Sequence, residues 1–204
     1  SNQIKGNASD IFTEIMLVIC KKMKVNTRIL YIDGTSMEAS ANKFSFVWKK
    51  TAVKTKDKTL SRIAETIGQL TKLTGIFYTE SYEDTQAIGG YIVSIWRWCS
   101  KNKVQFVLGK GHRKTALQKA YENLKKLNEK LKECQERIET CGNDRNSYSK
   151  TDHDATFMHM KYDYYNNTGV FKPGYNVQLA ESDEFIMHVM VSNARSDTKT
   201  FIPF

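Results

Sequence analysis

The stretch Arg28-Ile29-Leu30-Tyr31-Ile32-Asp33-Gly34-Thr35 decides how this chain is read. Ile29 to Ile32 is a short unbroken apolar run rich in β-branched and aromatic side chains, the pattern of a strand covered on both faces. Gly34 is expected to end it. That would set the Asp33 carboxylate at the strand tip, in the crevice where open α/β sheets take ligands. The competing reading is plainer, since Asp-Gly is among the commonest turn signals.

Three further blocks accompany Asp33. They are Ala41-Asn-Lys-Phe-Ser-Phe-Val-Trp-Lys-Lys50, then Arg145-Asn-Ser-Tyr-Ser-Lys-Thr-Asp-His-Asp-Ala-Thr-Phe-Met158, then Lys172-Pro-Gly-Tyr-Asn-Val-Gln178. In this order they resemble transposases of the bacterial insertion-sequence superfamily that carries an Asp-Asp-Glu metal site, and specifically the IS1182-like family. The likeness runs from about Ile11 to Phe204 and is loosest over Thr74 to Val107. It implies an α/β protein with an RNase H-like core and a long helical insertion, and it sets Asp33 at the family's first catalytic aspartate. The implied activity is metal-dependent cleavage and transfer of DNA strands at insertion-sequence ends. Mg2+ or Mn2+ is the implied cofactor, DNA ends and target DNA the implied partners, and the bacterial cytoplasm, at the nucleoid, the implied setting. The family's second aspartate and its glutamate fall beyond Phe204, and its N-terminal helical DNA-binding region is unmatched. The chain is therefore expected to be a fragment of a transposase, inactive alone. A non-catalytic remnant that binds DNA or self-associates is the alternative.

The chemistry explains why carboxylates are sought. Breaking a phosphodiester needs an activated water or 3′-hydroxyl, a stabilised transition-state charge and a stabilised leaving oxygen, which a pair of magnesium ions supplies together. Magnesium takes oxygen ligands, usually one or two carboxylates with phosphate and water. Asp33 would hold those ions. Asp152 and Asp154, which bracket His153, are auxiliary candidates if both carboxylates face one side of an extended segment. Against that, Asp152 reads as the cap of a turn or helix while Phe157, Met158 and Met160 pack. His153 and His159 fit no zinc spacing, and the family has proline where His153 stands.

Composition agrees with a polyanion partner. A chain of 204 residues, 40% hydrophobic, can bury one core with a sizeable insertion. Its net charge of +9 favours nucleic acid, because Lys and Arg displace counterions from phosphates. The candidate DNA contacts are Lys49, Lys50, Lys110, Arg113, Lys114, Arg145 and Lys150. Gly109-Lys-Gly-His-Arg-Lys-Thr115 has the look of a phosphate loop, but no glycine precedes Lys114 and nucleotide binding is not expected. A basic turn leading into a helix still attracts anions. Cys20, Cys99, Cys134 and Cys141 form no Cys-x-x-Cys pair and read as reduced thiols. The apolar stretch Ile15 to Cys20 is far shorter than a membrane helix.

Periodicity supplies the remaining elements. Ser9 or Asp10 would cap a helix with Ile11, Ile15, Val18 and Ile19 on one face. Phe44 to Trp48 reads as a second strand, Thr51 to Thr59 as a polar link, and Lys58 to Lys72 as a helix. Tyr91 to Trp98 reads as a helix covering apolar surface, with Trp96 and Trp98 expected to be buried in the core or an interface and base stacking as the alternative. Leu117, Ala120, Leu124, Leu127, Leu131, Cys134, Ile138 and Cys141 form a heptad seam whose partner lies within the chain or in another copy. Tyr175 to Ala180 and Glu184 to Val191 form a hairpin expected to pair with the Asp33 strand, and Asp197 is expected to cap a helix. The resulting division is an N-terminal helix over 1–27, first core strands over 28–56, a helical insertion over 57–150, and returning core over 151–204.

Overall fold

A computed structural model describes residues 2–109, 113–160 and 169–200. The chain is mixed α/β and divides into two compact units, one of residues 1–48 with 141–204 and one of residues 49–140.

The first unit is organised by an antiparallel sheet of β1 (Tyr31–Glu38), β4 (Thr156–Met160), β5 (Val170–Ser182) and β6 (Phe185–Ser192). β5 is central. β1 pairs along one edge, Tyr31 opposite Glu181 through Glu38 opposite Gly174. The other edge is shared, with β4 beside residues 170–174 and β6 beside residues 176–182. Asp183 and Glu184 turn β5 into β6 with φ of 51° and 67°, the two left-handed residues that match a hairpin's twist. The hairpin and its pairing with the Asp33 strand follow the sequence pattern.

A second, two-stranded sheet joins β2 (Phe46–Trp48) to β3 (Ser147–Ser149). Aromatic rings link it to the larger sheet. Phe157 of β4 stacks on Phe171 of β5 at 4.9 Å, and Phe46 and Trp48 meet Phe157 edge-on at 4.7 and 5.1 Å, the offset and edge-to-face geometries that rings favour. Helix α1 (Asn2–Met23) lies on β6. Its contact face is not the expected apolar stripe, for Ile11, Ile15 and Val18 stay 47–56% exposed. Instead Thr13 hydrogen-bonds His188 Nδ1 at 2.6 Å, the Ser9 hydroxyl donates to the Val189 carbonyl, and Cys20 packs on Met187. Polar partners on β6 choose the face.

The second unit holds α2 (Lys49–Thr74), α3 (Thr85–Lys101) and α4, which runs Ala116–Cys141. α2 starts well before the expected helix and absorbs the Thr51–Thr59 segment. That segment contains no Gly or Pro, and Thr55 and Thr59 return their hydroxyls to the carbonyls four residues back, each at 2.8 Å, a bond that lets Thr sit inside a helix. Asp84 caps α3 by accepting from the backbone N–H groups of Gln86 and Ala87. Ile63 and Leu70 of α2, Ile88 and Ile95 of α3, and Leu124 and Leu131 of α4 make one core, fully buried. The heptad seam of α4 is thus occupied by helices of its own chain.

All four cysteines are free and buried, and burial pushes the Cys99 and Cys134 thiols above their ordinary pKa. Among the described residues no helix is long and apolar enough to cross a membrane.

Candidate functional site on the sheet

Asp33 is the third residue of β1, not the tip of a strand, and it is exposed. β1 is also no buried strand, since Tyr31 and Met37 stand 68% and 55% exposed. Gly34 does not end it. In register Gly34 lies opposite Gln178, and a Cβ there would come 2.4 Å from Gln178 Nε2 and 2.9 Å from Asp197 Oδ1. Glycine is required by close approach, one of the reasons glycine occurs inside strands. The turn reading of Asp33-Gly34 fails for the same reason.

What crowds Gly34 is a polar cluster. Asn176 Nδ2 donates to Asp197 Oδ1 at 2.8 Å, and Gln178 Nε2 donates both to that oxygen and to Asn176 Oδ1 at 3.0 Å. Asn176 and Gln178 are buried, as amides with satisfied partners can be. Asp197 is consequently not a helix cap. Ser196 holds that position in front of a single 3-10 turn, Asp197–Lys199. Side chains alternate along strands, so Asp33, opposite Leu179, points to the other face from this cluster. Its Oδ1 accepts the N–H of Gly34 at 2.9 Å.

On Asp33's own face the nearest ionisable groups are Tyr31 and Glu181, opposite one another two residues back along β1, and in the other direction the first is Tyr175. Tyr175 lies opposite Met37, four residues along β1 and about 13 Å away at the usual rise per residue. Its hydroxyl donates to Asp152 Oδ2 at 2.5 Å. Burial first, and this hydrogen bond second, push the phenol up to about 12. Asp152 also caps its own turn, accepting the Asp154 N–H at 3.2 Å. The two carboxylates therefore sit in a turn, not on an extended segment. Asp154 is exposed, and its carbonyl accepts from Arg145 at 3.0 Å. His153 packs edge-on against Tyr148 and His159 against Phe171.

A two-ion centre needs convergent oxygen ligands. Among the described residues no three His, Cys, Asp or Glu side chains come together. Asp33 and Asp152 share a face without meeting, and these residues do not by themselves fit a two-metal site.

The basic candidates are divided between the units. Lys49 is half-buried and Lys50 exposed in the first turn of α2. Arg113 is exposed ahead of α4, while Lys114 grips Glu122 at 2.7 and 2.9 Å and holds that carboxyl below its usual pKa. Arg145 is 8% exposed and lies 6.0 Å over the Tyr148 ring. Lys150 is exposed, and Lys110 lies outside the described residues. The overall charge divides more sharply. Residues 49–140 hold 19 Lys and Arg against 10 Asp and Glu, and the remainder holds 12 against 12, so the helical unit carries the whole net +9.

The polar cluster escaped the sequence reading because Asn176, Gln178 and Asp197 sit in a strand and a turn with no shared motif. The one available signal was a glycine inside an otherwise β-forming run. No family model, curated protein or solved structure matches this chain.

Proposed function

We propose that this chain is part of the catalytic domain of an IS1182-like insertion-sequence transposase, with an RNase H-like core and DNA as its partner. The observation that carries the reading is the antiparallel run β1-β5-β6 within the four-stranded sheet, in which β4 also pairs with β5. RNase H-like cores begin with three successive antiparallel strands, and here the strand bearing Asp33 pairs with a strand that begins more than 130 residues later. The four blocks on which the family resemblance rests, although split by the helical unit, all belong mainly to the sheet unit. That reunion supports the resemblance.

In this reading Asp33 supplies the first carboxylate of a Mg2+- or Mn2+-dependent site, and the helical unit supplies positive surface for the DNA backbone. Because the described residues gather no set of three ligands around Asp33, the chain alone is expected to bind DNA without cutting it. The test is Asp33→Asn in the gene product as the cell makes it, assayed for metal-dependent nicking of supercoiled DNA. Abolished nicking with DNA binding retained is expected, and unchanged nicking would sink the assignment. The competing reading, a module that works by self-association through the α4 seam, is disfavoured because Leu124, Leu127 and Leu131 are already packed within the chain.

A further inference from the structure

The helical unit carries a feature that its core does not explain. Trp96, on α3, is 50% exposed although it belongs to an aromatic group. Phe106 meets it edge-on at 5.5 Å, Tyr121 of α4 lies 6.1 Å away, and Phe106 and Tyr121 are 5.4 Å apart. Beside these rings opens a cavity of about 620 Å³, lined by Val93, Trp96, Phe106, Leu108, Tyr121 and Lys125 among others. Val93 and Leu108 are 47% and 95% exposed. The same three helices bury Ile95 and Leu124 completely, so the apolar rim is not a symptom of loose packing.

Charge identifies the occupant. Lys125 sits with its ammonium 5.7 Å from the centre of the Tyr121 ring. Arg97, Lys101 and Lys103 are exposed on the same helix end and the loop after it. The acid at the rim, Glu122, is held by Lys114. The surrounding unit bears all of the chain's net positive charge. An apolar protein surface would gain nothing from Lys125 at the cavity and the basic surface of this unit, whereas a nucleotide uses both parts: its base stacks on an exposed ring and its phosphate meets the lysine. A base within a duplex hides its faces against its neighbours, so the ligand has to be unpaired.

We infer that Trp96, with Phe106, Tyr121 and Lys125, forms a stacking site for an unpaired nucleotide of single-stranded DNA. The inference rests on the nucleic-acid part of the proposed function and adds to it a preference for a strand state. Trp96 provides the platform. Phe106 and Tyr121 fix the indole edge-on, and Lys125 supplies a phosphate contact beside them.

The test is fluorescence anisotropy of the full chain with a labelled oligothymidylate and with a labelled duplex of equal length, across a salt series. Trp96→Ala should weaken oligothymidylate binding by roughly 5- to 150-fold, the worth of one stacked base, and leave the duplex unchanged. Trp96→Phe, which keeps a ring and guards against a folding defect, should retain most of the affinity. Lys125→Gln should lower the salt slope by about 0.7, one single-strand phosphate contact. Oligothymidylate affinity unmoved by Trp96→Ala would overturn the site. So would a concentration-dependent mass that Trp96→Ala abolishes, which would make the face a contact between copies. If duplex still binds, only the stacking site has failed; if the wild-type chain binds neither DNA, the proposed function falls with it.

Discussion

Around the helical core, Ile63, Leu70, Ile88, Ile95, Leu124 and Leu131 are fully buried, whereas beside and on β1 Ile29, Leu30, Tyr31 and Met37 are 58%, 50%, 68% and 55% exposed. The interiors differ in kind as well. The helical unit buries aliphatic side chains; the sheet unit buries Ser147, Ser149, Thr156, Lys172, Asn176, Gln178 and Ser182. The helical unit is held chiefly by apolar area, whereas the sheet unit mixes buried apolar side chains such as Met158, Met160 and Val177 with directed hydrogen bonds such as those of Asn176 and Gln178. Charge divides along the same boundary. The sheet unit is neutral and mixed in its interior, and the helical unit is basic with a mainly aliphatic core.

The contrast is broken most readily at its strongest point. Leu124→Ala should destabilise the helical unit by about 2–5 kcal/mol, the range for deleting a buried leucine side chain, while Leu30→Ala, half in water, should stay within about 0.5 kcal/mol. Chemical denaturation of both variants decides it, and similar losses would erase the distinction. Gly34→Ala follows, at roughly 1–3 kcal/mol for forcing a methyl into occupied space. Pairing it with Gln178→Ala, which removes the crowding amide, should give less than additive loss in a double-mutant cycle.

Charge is probed next. Lys125→Gln with Lys132→Gln in the helical unit should reduce the salt dependence of duplex binding by up to about two contacts' worth of slope. Lys21→Gln with Lys22→Gln, in α1 of the sheet unit, should leave it unchanged, and an equal fall in both would mean that DNA reads the net charge alone. The smallest effect belongs to Tyr175. Its folded pKa of about 12 lies above the usual 10, so its contribution is complete below about pH 10 and fades as pH rises towards 12. Tyr175→Phe should flatten that alkaline limb in a stability-versus-pH series while also removing the Asp152 bond at neutral pH.

Much of this contrast was legible before the structure. The three-and-four spacing of Leu117 to Ile138 and of Leu60 to Leu70 carries a helical core in plain sight, because burying a stripe needs only local periodicity. The hairpin was equally visible, although the pattern joins its strands through Glu181-Ser182-Asp183 and the turn falls on Asp183-Glu184, with Glu181 and Ser182 still in β5. β1 was not. An apolar run ending in Asp-Gly has the same local pattern whether the glycine stops a strand or makes room for a glutamine more than 140 residues away. The start of α2 was hidden because its lysines and threonines signal solvent, and only the back-bonded hydroxyls and the buried Ala52 and Thr59 disclose a helix. For the candidate site, residue types were readable and mutual distances were not. Asp33 lies in β1 while Asp152 and Asp197 lie in turns; Asp197 is held by Asn176 and Gln178 on the face opposite Asp33, and Asp152 is held by Tyr175, four residues along the sheet from Asp33.

The buried thiols bear on how this molecule can be watched at work. Cys20, Cys99, Cys134 and Cys141 are each 2% exposed or less, and alkylation needs an accessible thiolate. A maleimide dye will therefore pass over the native chain and find an introduced surface cysteine such as Lys132→Cys or Arg28→Cys. The protein is already a silent background for site-directed labels, one on each unit, whose energy transfer would report their separation with and without added DNA.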